Sequence, residues 1–79
     1  MSEAQHDLAH EFPALKMRIH DLKIANAHFA NLARHYHDVQ KQLHRMEVGV
    51  ETPSDHVVEE LKKERLRLKD ELYMMLRTA

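Results

Sequence analysis

The sequence predicts an all-α protein: an antiparallel helical hairpin, coiled-coil-like in its packing, with a shorter N-terminal helix ahead of it. Three observations carry that reading. Breakers are scarce, with one glycine and two prolines in 79 residues, while charged residues make up 32% and aromatics only 5%, a composition suited to long helices. Apolar residues recur through Phe29, Leu32, Tyr36, Val39, Leu43 and Met46 at 3-4-3-4-3 spacing, one face of a helix. The densest patch of turn residues, VGVETPSD at 48–55, separates two helical stretches of similar length.

In chain order, the opening MSEAQHDLAHEF lacks the basic and apolar regions of a signal peptide. Ser2 and Gln5 have capping-box spacing, which predicts a short, fraying helical turn that ends before Pro13. Proline is best tolerated in the first turn of a helix, so a helix is expected over about 12–25. Its apolar face is Phe12, Leu15, Ile19 and Leu22. Continued past Asn26, that face misses Leu32 and Val39, so the stripe changes phase there. Asparagine is a good N-cap and a poor mid-helix residue, which places a break or sharp kink at Asn26. The alternative is one continuous helix with a local change of supercoil phase. The second helix then covers about 26–48.

After a loop at about 48–53, the last helix is expected over about 53–77. Thr52 is placed to cap it, with Pro53 at its first position and Asp55 at its third; Ser54 is the other candidate cap. Asp55, Glu59 and Glu60 sit early and Arg77 late, as the helix dipole favours, and Glu59–Lys63 is a favourable i,i+4 pair. Val57, Leu61, Leu68, Leu72 and Met75 form the seam facing the second helix, with the stem of Arg65 at its edge. The short loop makes the two helices antiparallel neighbours of about 24 residues, each roughly 36 Å long. That register pairs Met46 with Val57 or Val58, Leu43 with Leu61, Tyr36 with Leu68, Leu32 with Leu72 and Phe29 with Met75. The whole chain, 1–79, reads as a single small helical domain.

This seam leaves Leu66 unused, because it stands roughly 160° around the helix from Leu68. Val58, Leu66, Tyr73 and Leu76 form a second stripe, with Lys62 and Lys69 threaded through it and Arg65 at its border. These seven residues are the candidate interaction face. The first helix carries a smaller second stripe of its own, Met17 and Ile24. Two closures are open: the first helix folds back at Asn26, or the stripe meets another subunit. One short helix is not expected to cover a stripe running from Val58 to Leu76, which favours a homodimer or higher homo-oligomer.

Three blocks carry a resemblance: EFP at 11–13, AHF at 27–29 and above all ELKKERLRLKDELY at 60–73. Together they resemble the YdcH-like family of small bacterial helical proteins, a domain of unknown function described as coiled-coil-forming, over nearly the whole chain from about His6. The resemblance implies a helical bacterial protein and carries no active site. The histidine-rich middle, ARHYHDVQKQLHR, departs from the family pattern.

Composition narrows function mainly by exclusion. Cysteine is absent, so no disulfide or thiolate metal site is available. The formal net charge is −1, and no apolar run approaches the roughly 20 residues that span a bilayer, so a cytoplasmic protein without a membrane partner is expected. Of the eight histidines, only His6 and His10 share single-helix ligand spacing, and no metal or other cofactor is expected. Serine and threonine beyond the start are confined to helix ends, and paired helices offer no deep pocket, so no enzyme is expected. What remains is a non-enzymatic protein–protein interaction module that self-associates or binds a partner through the apolar–basic face of the last helix. The alternative is a nucleic-acid-associated protein using the Lys62, Arg65 and Lys69 side, although interleaved Glu64, Asp70 and Glu71 and the lack of an aromatic platform make nucleic acid the weaker partner.

Overall fold

A computed structural model of the chain describes residues 8–49 and 52–78. The elements are α1 (Leu8–Glu11), a 3-10 turn (Pro13–Leu15), α2 (Lys16–Ala25), α3 (Ala27–Glu47) and α4 (Asp55–Thr78), with no strand among the described residues. The fold is all-α, and the packing of α3 on α4 forms its main body. Ser2 and Gln5 lie outside the described residues.

Local chemistry sets each boundary. The residue before a proline is pushed out of the helical region, and Phe12 accordingly sits at φ −128°, ψ 69°. Pro13 therefore opens a 3-10 turn, in which the Leu15 N–H donates to the Phe12 carbonyl at 2.9 Å, and the α-helix begins only at Lys16. Asn26 is extended, at φ −134°, ψ 109°, and is the one non-helical residue between α2 and α3. Its backbone N–H donates to the Leu22 carbonyl at 2.9 Å and its side-chain oxygen accepts from the Phe29 N–H at 3.0 Å. One residue thus ends one helix and caps the next, and a continuous helix is ruled out. Gly49, at φ 84°, ends α3 in the left-handed conformation that suits glycine. The cap of α4 is Ser54, whose Oγ accepts from the Val57 N–H at 3.3 Å. Thr52 does not take that role, and Pro53 precedes the cap.

Both long helices present the same six-position heptad face. On α3, Phe29, Leu32, Tyr36, Val39, Leu43 and Met46 are buried or half-buried. On α4 the matching set is Val58, Leu61, Arg65, Leu68, Leu72 and Met75, again spaced 3-4-3-4-3. The heptad explains why Val58 turns inward while Val57, expected in the seam, is exposed. Phe29, Tyr36, Leu68 and Leu72 are the centre of the core, and no buried side-chain nitrogen or oxygen among the described residues lacks a partner.

The first helix folds back at Asn26. Helix α2 packs on α3 and α4, and α1 reaches α3, where Leu8 and Ala33 belong to one buried cluster. Leu8 and Ile19 join the core. The fold-back closure is therefore the one observed within a single chain.

Candidate interaction face of the last helix

The seven residues singled out on α4 divide into two groups. The C-terminal group is met by the chain's own arm, residues 8–25. Lys69 Nζ lies 2.9 Å from Glu11 Oε1. The ring of Phe12 stacks on that of Tyr73, with centroids 5.2 Å apart and planes at 19°. Leu76 is buried, and its carbonyl accepts from Arg18 Nε at 2.7 Å. That carbonyl belongs to the last turn of α4, where no intrahelical donor remains and a positive charge is favoured. Arg18 therefore fastens α2 across the C-terminus of α4.

The N-terminal group is not covered. Lys62 is exposed, Leu66 is 59% exposed, and Val58 is half-buried against the core. Arg65 points into the hairpin instead, donating from Nη1 to Gln40 Oε1 on α3 at 3.0 Å. Tyr73 marks the border, stacked on one side and still 40% exposed. The arm's second stripe, Met17 and Ile24, faces solvent at 71% and 75% exposure.

The opposite flank of α4 is an ion-paired surface. Arg67 bridges Glu64 at 2.8 Å and Glu71 at 3.0 Å, and Lys63 lies 3.8 Å from Glu60, not Glu59. His35 of α3 reaches Glu64 at 3.4 Å. The Arg67 guanidinium, through its hydrogen bond, holds the Glu64 carboxyl below its usual value, and Glu64 in turn raises Arg67. Among the described residues, no group of three or more histidine, aspartate or glutamate side chains is placed to hold a metal ion. His6 lies outside the described residues. No helix among the described residues is long and apolar enough to cross a membrane.

Sequence reasoning missed the Arg18 contact, whose partners are 58 residues apart. It also missed Leu8, which is buried at 2% exposure in a segment expected to fray.

The geometry defines a class of protein: a two-helix hairpin whose C-terminal end is clasped by an N-terminal arm. The chain belongs to the DUF465 family, the YdcH family, described as a protein of unknown function, whose model matches residues 29–76. The match covers α3 and nearly all of α4. It begins at Phe29, so the arm and the block at 11–13 lie outside the matched residues. No curated protein and no solved structure matches the chain.

Proposed function

We propose that the protein is a non-enzymatic helical interaction module that associates with a second copy of itself through the uncovered part of α4. One observation carries the reading. Among the described residues the arm meets Lys69, Tyr73 and Leu76, while Leu66 stays 59% exposed on the same side of the helix as Lys62 and the 40% exposed Tyr73. Leu66 and Tyr73 stand two turns apart on one side of an otherwise charged helix, and exposed apolar surface rimmed by charge is the kind that marks association. Within the Lys62, Arg65 and Lys69 side, Arg65 is engaged by Gln40 and Lys69 by Glu11, which favours a protein partner over nucleic acid.

The test is Leu66→Glu, with mass measured by light scattering at high micromolar concentration. The expected result is a shift from dimer to monomer at unchanged helicity. A wild-type protein that is monomeric under those conditions overturns the reading. Binding to nucleic acid that weakens steeply with salt would replace it.

A further inference from the structure

We infer that the arm, residues 8–25, is exchanged between two copies of the chain, each hairpin carrying the other's arm and Asn26 serving as the hinge. This rests on the self-association proposed above and adds to it a second contact between the two copies, through the arm.

The seat on α4 already has a known occupant. Glu11 answers Lys69 in charge, Phe12 stacks on Tyr73, and Arg18 caps the Leu76 carbonyl. Each contact depends on the arm's sequence and not on which chain supplies it. A second copy's arm offers the same three groups, so the closed contacts are conserved on exchange.

The hinge offers a route to opening, held back by the Asn26 cap. With Asn26 extended, the N–H groups of Ala27, His28 and Phe29 cannot reach the carbonyls of Lys23, Ile24 and Ala25. The Phe29 N–H is met by the Asn26 side chain, and Lys23, Ile24, Ala25, Ala27 and His28 are all exposed to water. Alanine, the best helix former, flanks Asn26 on both sides. If Asn26 turns helical, the three missing ladder bonds form. Helices α2 and α3 then become one helix of about 32 residues, roughly 48 Å long. That straight helix carries the arm off its own hairpin, and the apolar face of Phe12, Leu15, Ile19 and Leu22 has a complementary seat on another copy. The exposed Ile24 stands two residues from the hinge, where two hinges lying side by side on a two-fold axis would bury it.

The natural chain has no cysteine, so introduced thiols are unique. The Glu11→Cys, Lys69→Cys double variant is treated with a short bis-maleimide at a concentration where light scattering reads a dimer, then run on a denaturing gel. Exchange gives covalent dimers. Mixing a Glu11→Cys chain with a Lys69→Cys chain, each keeping one native partner of the pair, must give the same product even if the double variant folds poorly. Asn26→Ala removes the cap and should raise the association constant on the order of tenfold. A dimer with cross-links only within chains overturns the exchange and leaves the self-association standing. A monomer at every concentration, in wild type and Asn26→Ala alike, overturns both.

Discussion

Leu66 and Leu68 stand two residues apart and should respond very unequally to the same truncation. Leu68 has 0% exposure at the centre of the seam, while Leu66 is 59% exposed. Leucine to alanine removes three carbons, worth about 2.5 kcal/mol of transfer at about 0.8 kcal/mol per buried methylene. The cavity left in a core that relaxes only partly raises the cost of Leu68→Ala to about 3–4 kcal/mol. A chain of this size has a total stability of about 4–12 kcal/mol, so the loss takes a large share of it. Leu66→Ala forfeits less than half of that transfer and gains helix propensity, and should stay within about 0.5 kcal/mol of wild type. Urea unfolding followed by far-ultraviolet circular dichroism, at concentrations low enough to exclude association, reads both. With a slope of about 1 kcal/mol per molar, the midpoint should fall by about 3 M for Leu68→Ala and by less than about 0.5 M for Leu66→Ala. Equal midpoints for the two variants would refute the assignment of the two faces.

Further outcomes follow from single contacts. Gly49→Ala should cost about 1 kcal/mol in the same unfolding assay, wholly from backbone strain, because φ is 84° and a Cβ there meets nothing within 4 Å. Arg18→Met keeps the stem and removes the donor to Leu76, so amides of α2 should lose hydrogen-exchange protection while those of α3 keep theirs. Phe12→Ala removes the stack on Tyr73 and should change the tyrosine fluorescence, since the chain has no tryptophan. For Glu64 the folded carboxyl value lies below the ordinary 4.5, so its contribution is present above that value and lost as pH falls through the lowered one. The melting-temperature gap between wild type and Glu64→Gln should therefore be open at pH 6 and close in stronger acid; a gap independent of pH would contradict the Arg67 pairing.

Much of this fold was legible because it is periodic. The heptads of α3 and α4 announce both long helices, and the misfit between the Phe12 and Phe29 stripes locates the break that Asn26 makes. The two-sided placement of Leu66 and Leu68 pointed to a second contact on α4, which the arm supplies in part. What escaped the sequence is non-periodic or tertiary. Leu8 is one large apolar residue in a four-residue helix, and Ala33 is too small to register as core. Arg18 seeks a backbone carbonyl at the far end of the chain, a partner with no side-chain signature. Thr52 and Ser54 are equivalent as caps until the helix start is known. The extent of cover over the candidate face was likewise hidden, since it depends on how far a folded-back arm can reach.

The Arg65–Gln40 bond has a consequence for alignment. A seam of repeating apolar residues resembles a ruler with identical marks, and sliding one helix by seven residues offers apolar partners again. A polar rung within it removes that degeneracy. Slid toward the start of α3, Arg65 would lie against Ala33, its guanidinium dehydrated without an acceptor. Slid the other way, Gln40 would meet Leu72, its amide left without a partner. Arg65 thus acts as an index pin: it tells the two helices where to stop.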